Sequence, residues 1–386
     1  MPRIEELGIY EGTLPKGARN AISDVPGVLV GHFTLNTGEG VADPHWRPGN
    51  GPFRTGVTII LPHDGNLYEE KVCATVHTIN GFGKPTGFEQ VRELGTLETP
   101  IALTGTMNVP RVADALMTIA AEGSPHIGVG FPERGWPGYA SVNPLVAETS
   151  DGYLSDLQAR PIGLEQVRAA LAAASADVTE GAVGAGAGTS CYGWKGGIGT
   201  ASRVLPERAG GYTIGALVQT NFGRPEELMI CGVPVGKHLR PPEAQPGDSS
   251  SSQPPRAPAD LGGSIMIILA TDAPLDARGL GRLCRRAAFG LARTGSNCHG
   301  GSGDFVIAFS TANRILDRPD PLVASRSVID EQPLMSYFST AVIESVEEAI
   351  YNSLLMARTV VGRNGHVRYG LPPEEVARIV RQHRPH

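Results

Sequence analysis

Short apolar runs alternate with longer segments of helical periodicity along most of this chain. Apolar runs bounded by Gly, Pro or Asp are typical of buried strands, and we expect a turn and strand within 21–32 and strands at 56–62, 214–219, 265–270 and 305–310. Apolar residues spaced three and four apart predict helices over 109–121, 164–174, 276–294, 341–361 and 372–383. This alternation favours a layered α/β or α+β architecture.

A junction near the middle of the chain interrupts this pattern. Residues 241–260 are rich in Pro, Ser and Gly and predict a flexible linker, which leads through Gly262-Gly263-Ser264 into an apolar strand. Because paired glycines tolerate a strained backbone and the linker has little structure to lose, the junction favours self-cleavage between Gly263 and Ser264. Ser264 would then carry a free amine and a hydroxyl, a base and a nucleophile on one residue. A plain turn serine is the competing interpretation.

Composition excludes several classes of function. The net charge of −6 and the scattered basic residues argue against nucleic acid as a partner. No stretch approaches the roughly 20 apolar residues of a membrane span. Acidic Glu5 and Glu6 stand where a signal peptide has basic residues, so we expect a cytoplasmic protein. The five cysteines are dispersed without a CxxC pair, so no disulfide framework, metal site or cofactor is expected.

Several polar residues near predicted strand ends are candidates for chemistry. Ser302 and Asp304 lie in a glycine-rich turn before a strand, where spacing alone favours a simple capping turn. Asn221 ends a predicted strand, and its amide there can donate to an oxyanion, although Asn-x-Gly usually marks only a turn. Glu148 stands among apolar residues and can pair with a substrate amine, but a solvated turn carboxylate is the commoner outcome.

Two further motifs carry less weight. The glycine-rich segments 184–188 and 193–199 fit neither GxGxxG nor GxxxxGK[ST], so close packing of backbone is the better interpretation. The neighbours Cys298 and His299 suggest a thiol protease, but adjacent residues rarely meet productively in space, and we discount this hypothesis.

A series of motifs spread in order over nearly the whole chain resembles the P1 family of self-processing aminopeptidases. This group includes L-aminopeptidase/D-amidase/D-esterase and the β-aminopeptidases. The matching segments are Asn20 to Val28, Val30 to His32, Arg54 to Thr58, Asn80 to Lys84, Thr104 to Thr106, Ala147 to Thr149 with Asp151 and Gly152, Cys191 and Tyr192, Lys195 to Thr200, Gly263 to Met266, Ala270 to Leu275, Arg293 to Ser296, Gly301 to Asp304 and Glu347 to Ile350.

The resemblance implies an α+β fold, a four-layer αββα sandwich similar to N-terminal-nucleophile hydrolases but with its own connectivity. It implies a single domain over 1–386 that is cut into an α chain, 1–263, and a β chain, 264–386. The two chains stay associated, often as a tetramer of such pairs. The linker 241–260 looks longer than is usual in the family.

The resemblance also implies roles for individual residues. These are Ser264 as nucleophile, Asn221 as oxyanion donor, Ser302 and Asp304 as partners that orient the nucleophile, Glu148 as acceptor for the free amine of the substrate, and Tyr153 and Trp136 as lining of the substrate pocket. Some family members have Glu at the position of Asp304, which leaves its reach toward Ser264 open.

The implied activity is release of N-terminal residues from small peptides, amides or esters that carry a free amino group. L-α-, D-α- and β-amino acids all remain possible, because pocket shape decides among them. Two alternatives stay open. An acyltransferase similar to ornithine acetyltransferase is disfavoured because such enzymes use Thr at the cut, and an uncut, non-catalytic binding protein would lack the free amine of Ser264.

Overall fold

The computed structural model describes residues 1–40, 45–130, 140–242, 263–317, 325–328 and 332–384. The strands in these ranges are β1 (Leu29–Thr37), β2 (Phe53–Leu61), β3 (Glu70–Gly81), β4 (Thr96–Leu97), β5 (Ile101–Gly105), β6 (Leu145–Thr149), β7 (Ser190–Cys191), β8 (Trp194–Lys195), β9 (Ile198–Val204), β10 (Thr213–Asn221), β11 (Ser264–Thr271), β12 (Gly303–Leu316), β13 (Val360–Val361) and β14 (Val367–Arg368). The α-helices are α1 (Phe88–Leu94), α2 (Val109–Gly123), α3 (Leu164–Ala172), α4 (Ala277–Arg293), α5 (Gln332–Leu355) and α6 (Pro373–His383).

The longer strands form two sheets. One has four strands in the order β1-β2-β5-β6, and the other has six in the order β4-β3-β12-β11-β10-β9. Neighbouring strands run antiparallel except for the pairs β5–β6 and β11–β12, which are parallel. The short pairs β7–β8 and β13–β14 are separate two-stranded hairpins.

Three apolar cores separate four layers. A central core lies between the sheets, where Leu103 and Ala147 of the smaller sheet meet Met266 and Ile268 of the larger one. Helices α2 and α3 cover the outer face of the smaller sheet. Helices α4 and α5 cover the outer face of the larger sheet, and α6 joins the same core. The layers confirm the predicted α+β sandwich of the αββα type.

Strand β11 shows why this sandwich forms. Its apolar residues alternate between two buried faces, so Ile265 and Ile267 meet the helices while Met266 and Ile268 meet the opposite sheet. A strand buried on both faces needs a continuous apolar run, and this is the run that follows Ser264. Asp276 then caps α4 by accepting a hydrogen bond from the backbone N–H of Gly279.

The predicted bounds of two elements, a helix and a strand, are wrong. The helix expected over 341–361 is α5, which starts at Gln332 and ends at Leu355. The apolar residues Val360 and Val361 that extended the helical pattern belong to β13 instead. The strand expected at 305–310 continues through β12 to Leu316. None of the helices within the described ranges is long and apolar enough to cross a membrane.

Candidate active site

Three strands of the larger sheet bring four of the predicted site residues together at one end: Ser264, Asn221, Ser302 and Asp304. Ser264 is the first residue of β11 and pairs with Asn221, the last residue of antiparallel β10. On its other side Ser264 pairs with Gly303, the first residue of parallel β12. Because a strand start here meets the end of one neighbour and the start of another, residues far apart in sequence surround the Ser264 hydroxyl.

The peptide bond before Ser264 is held by two hydrogen bonds. The Gly263 carbonyl oxygen accepts from the Ser264 hydroxyl at 2.6 Å and from the backbone N–H of Gly303 at 2.9 Å. Glycine is required at 263, since a Cβ there would lie 2.7 Å from the Cα of Phe222. The carbonyl is therefore polarised by a backbone donor while the neighbouring hydroxyl touches it.

Ser302 and Asp304 form a buried pair next to this bond. The Ser302 hydroxyl donates to Oδ1 of Asp304 at 2.6 Å, and both side chains are almost fully buried. Burial raises the pKa of Asp304, an effect that hydrogen bonds from the hydroxyl of Ser302 and the thiol of Cys298 partly offset. The shorter carboxylate thus reaches Ser302 directly.

Asn221 is oriented by a backbone donor. Its side-chain Oδ1 accepts the N–H of Ser190 at 2.9 Å. An amide with oxygen and nitrogen exchanged would set NH₂ against this N–H, so the hydrogen bond fixes which end of the amide is the donor. Among the described residues, Nδ2 of Asn221 has no hydrogen-bond acceptor, so its hydrogens can face a further acceptor.

Glu148 lies at the end of β6, in the opposite sheet. It is buried, and its Oε1 accepts the backbone N–H of Lys84 at 3.1 Å. The Lys84 ammonium lies 3.9 Å from the same oxygen on a side chain that is 59% exposed. The carboxylate therefore attracts a cation at a position open to solvent, which is the chemistry needed to bind a substrate ammonium group.

The segment from Phe82 to Lys84 connects Glu148 with Ser264. A Cβ on Gly303 would lie 2.6 Å from the carbonyl oxygen of Phe82 and 3.3 Å from Oγ of Ser264. A Cβ on Gly83 would lie 3.3 Å from Oε1 of Glu148. The Ser264 hydroxyl and the Glu148 carboxylate thus both lie close to one short stretch of backbone.

An open cavity of about 650 Å³ borders this stretch. Its lining includes Gly83, Thr86, Phe88 and Phe305, but Glu148 is not part of it. Ser264 itself is not among the lining residues. The cavity therefore borders the Phe82–Lys84 segment without containing the Ser264 hydroxyl.

Of the two residues expected to line the substrate pocket, the structure describes only Tyr153. Tyr153 stacks on His366 with ring centroids 4.5 Å apart, and the guanidinium of Arg368 lies 3.5 Å from its ring centre. Arg368 in turn donates to the Ser190 hydroxyl at 2.8 Å, so Tyr153 is linked to Asn221 only through intermediates. Trp136 lies outside the described residues.

The adjacent Cys298 and His299 point to different partners. The ring of His299 hydrogen-bonds Glu227 at 2.9 Å, while burial and the charge of Asp304 raise the pKa of Cys298 to about 11. A thiol with this pKa remains protonated near neutrality, which agrees with discounting a thiol protease.

One group of potential metal ligands occurs within the described ranges, although no metal site was expected from the sequence. Glu69, His126 and Asp317 have ligand atoms within 4.8 Å of one another, and Lys71 pairs with Asp317. This group lies beyond the start of β3, whereas the site residues adjoin the end of β3, roughly 36 Å away at 3.3 Å per residue. It plays no part in the arrangement around Ser264.

Sequence reasoning missed the backbone donors of the site. The N–H groups of Gly303 and Ser190 have no signature in the sequence, since any residue other than proline supplies one. Lys84 was noted only as part of a motif. The signal that could have found Gly303 is its place directly before Asp304, at the start of a predicted strand.

Comparison with known proteins extends these observations. The beta-peptidyl aminopeptidase BapA of Sphingosinicella microcystinivorans is 39% identical over 99% of this chain and 93% of that protein. The crystal structure of a protein from Pyrococcus horikoshii OT3 superposes with a TM-score of 0.87 at 46% identity, covering 99% of both chains. The L-aminopeptidase D-Ala-esterase/amidase of Ochrobactrum anthropi, described as a variant of the Ntn hydrolase fold, superposes with a TM-score of 0.83 at 36% identity, again over 99% of both chains.

These similarities confirm the expected family, the α+β fold related to Ntn hydrolases, and a hydrolase of the serine aminopeptidase and amidase kind. The model of peptidase family S58 matches residues 20–368. The match covers both sheets and every residue described above around Ser264. The chain belongs to peptidase family S58.

Proposed function

We propose that this chain cuts itself between Gly263 and Ser264 and then releases N-terminal residues from small peptides, amides or esters through an acyl-enzyme on Ser264. The observation that carries the proposal is the geometry of the Gly263 carbonyl. The Ser264 hydroxyl contacts its oxygen at 2.6 Å, and the Gly303 N–H donates to the same oxygen at 2.9 Å.

This geometry supports self-cleavage. Oγ of Ser264 attacks the Gly263 carbonyl carbon, and the Gly303 N–H stabilises the oxygen as it becomes negative. The C–N bond breaks as the new ester forms, and the Ser264 nitrogen takes a proton to become an amine. Water then hydrolyses the ester, which leaves a carboxylate on Gly263 and a free hydroxyl on Ser264.

The same hydroxyl then acts on substrates. A free α-amine has an unperturbed pKa of roughly 7.7–8.0, so near neutrality it can take the proton of Oγ as the hydroxyl attacks. Asn221 donates from Nδ2 to the oxyanion, the leaving amine takes the proton, and water hydrolyses the acyl-enzyme. The Ser302–Asp304 pair lies one residue from the start of β12 and orients the new N-terminus.

Glu148 selects substrates that carry a free amine. Its buried carboxylate adjoins the same Phe82–Lys84 segment that comes close to Ser264, and it already attracts the Lys84 ammonium. The relative from Sphingosinicella is named for β-peptides and the one from Ochrobactrum for L- and D-compounds. We therefore expect a small amine-bearing substrate, with Tyr153 and Trp136 contributing to its pocket.

The two products of cleavage should stay together. Strand β10 precedes the cut and β11 follows it, and they pair from Ile214 to Asn221 along all of β11. We propose one folded unit made of chains 1–263 and 264–386, with 241–260 as a linker beside the cut. Following the family resemblance, we also propose a cytoplasmic homo-oligomer, a tetramer of such pairs, which size-exclusion chromatography with light scattering would test.

The decisive experiment compares the protein with Ser264→Ala. Intact mass under denaturing conditions should give two chains for the unaltered protein, meeting at Gly263–Ser264, and one chain for S264A. Hydrolysis of an amino-acid amide should be lost in S264A. Ser336→Ala is the matched control, because its hydroxyl lies exposed on α5 and bonds only a carbonyl of its own helix.

Two outcomes would contradict the proposal. Normal cutting and hydrolysis by S264A would exclude Ser264 as nucleophile. A single uncut chain in the unaltered protein, inactive toward amides and esters, would favour the non-catalytic binding protein. An N-acetylated substrate and an acceptor amine, supplied together, would detect acyl transfer if hydrolysis is absent.

A further inference from the structure

A buried ammonium group lies close to the site and has no part in the reaction proposed above. Lys195, in β8, is 0% exposed. Its Nζ donates to three backbone carbonyls, those of Gly186 at 2.8 Å, Thr189 at 2.9 Å and Gly196 at 2.6 Å. An ammonium group has three hydrogens, so all of its donors are used on the glycine-rich segment 184–190 and its return strand.

That segment leads directly to the amide of Asn221. Ser190 follows Thr189 and pairs with Lys195 across the β7–β8 hairpin. Its N–H is the donor that fixes the orientation of the Asn221 side chain, at 2.9 Å from Oδ1. The contacts therefore run from the Lys195 ammonium to the carbonyl of Thr189, and from the N–H of the next residue, Ser190, to Asn221.

A buried carboxylate also lies against the same segment. A Cβ on Gly188 would lie 2.8 Å from Cβ of Asp151 and 1.9 Å from the carbonyl oxygen of Arg54. Position 188 therefore has no room for a side chain, which explains the glycine. Asp151 is 1% exposed, and its charge acts on Lys195.

We propose that Lys195 is a positioning residue, whose three hydrogen bonds to the 184–190 segment and Gly196 hold the Ser190 N–H against Asn221 and so aim Nδ2 at the oxyanion. This inference rests on the proposed function, because it acts through the role given there to Asn221. Lys195 itself touches neither substrate nor nucleophile.

Titration of Lys195 gives the inference a second readout. Burial lowers the pKa of Lys195 to about 7, although the negative charge of Asp151 opposes that shift. Cys191 and Arg368 are the other ionisable groups that act on it, Cys191 in the direction of Asp151 and Arg368 against it. The neutral amine has two hydrogens, so it can no longer hold all three carbonyls above neutral pH.

The experiment is a double-mutant cycle on processed enzyme. Lys195→Met, Asn221→Ala and the double variant are assayed on an amino-acid amide, with kcat expressed per chain that begins at Ser264, as counted by intact mass. N221A should lower kcat by about 10²–10³-fold, the usual loss for one oxyanion donor. K195M should lower kcat by about 10- to 100-fold with KM changed less than about threefold, and it should have little further effect in the N221A background.

Two controls separate positioning from loss of structure. Lys16→Met removes a half-buried ammonium that pairs with Glu5 and Glu348, and kcat should not change. Lys195→Arg keeps a charge that does not titrate, so it should recover part of the activity. The ratio of kcat for the unaltered enzyme to kcat for K195R should fall as pH rises past neutrality.

The outcomes distinguish the proposed role of Asn221 from the inference about Lys195. If N221A retains full kcat, the proposed role of Asn221 fails. If N221A loses kcat while K195M has no effect, or the two losses multiply in the double variant, the inference about Lys195 is overturned and the proposed function stands. A variant K195M that fails to fold leaves K195R, whose constant kcat ratio across pH would equally overturn the inference.

Discussion

Two buried cations of this protein, Arg203 and Lys195, are both 0% exposed yet differ in their surroundings. Arg203 in β9 donates to carboxylates of Glu344 at 2.8 Å and Glu348 at 2.6 Å, both on α5. Lys195 donates only to backbone carbonyls. The first cation has direct ionic partners and the second has dipoles, and the difference shows in how each titrates.

Burial alone would lower the pKa of Arg203, but Glu348, Tyr10 and Glu344 together raise it. Burial lowers the pKa of Lys195 to about 7, since the charge of Asp151 does not compensate. A compensated cation is fixed in its charge state and serves the fold. A poorly compensated one costs stability, and such groups cluster near functional sites. We take the contrast as support for a role of Lys195 beyond packing.

The largest expected effect is the loss of stability when Arg203, the buried cation with ionic partners, is replaced. Arg203→Met removes the partner of two buried carboxylates, and losing one member of a buried pair costs about 3–5 kcal/mol of unfolding free energy. Urea denaturation followed by circular dichroism would measure the loss. Arg378→Met is the control, because Arg378 pairs with Glu375 on the exposed face of α6 and its removal should change little. If R203M is as stable as the unaltered protein, Arg203 does not stabilise the fold and the contrast with Lys195 fails.

The sequence predicted which strand-end residues come together better than it predicted the backbone contacts that hold them. Ser264 and Asn221 each stand at the end of an apolar run, and strand ends of one sheet meet at shared edges, so their convergence follows from pattern and register. Ser302 and Asp304 stand at the start of the next strand. For these residues the motif order of the family added what spacing left undecided.

The contacts that hold these residues in place could not be predicted from the sequence, for physical reasons. The three acceptors of Lys195 and the Ser190 donor are backbone groups, which every residue has, and the hairpin that aligns them is two residues on each side. Helix α5 was misplaced because apolar residues continue beyond its end into β13, whereas its first turns show no periodic burial before Met335. Local pattern cannot separate such cases without the tertiary contacts that decide them.

The second effect concerns pH and Lys195. The folded-state pKa lies near 7, below the unperturbed value of 10.5, so its neutral form is favoured by folding. Its contribution to stability is present above pH 10.5 and is lost as pH falls toward 7. The unfolding free energy of the unaltered protein, minus that of Lys195→Met, should therefore rise between pH 7.5 and 9 by up to about 1.4 kcal/mol per pH unit. The same difference taken between Lys195→Arg and Lys195→Met should stay flat, because a guanidinium keeps its proton. A flat result for the unaltered protein would show that Lys195 is compensated after all.

The smallest expected effect is the loss of stability at acid pH that comes from Glu344, a carboxylate partner of Arg203. Burial would raise the pKa of Glu344, but hydrogen bonds from Thr13 and Arg203 outweigh it and lower that pKa below 4.5. A lowered carboxylate pKa contributes stability above the unfolded value and loses it as pH falls through the folded one. The advantage of the unaltered protein over Glu344→Gln should thus hold from pH 8 to about 5 and shrink below 4.5, a smaller change than the alkaline one at Lys195. Denaturation curves at pH 3.5, 5 and 7 would test this. An advantage that already shrinks between pH 7 and 5 would mean that Glu344, too, is poorly compensated, and the two buried cations would then no longer differ in kind.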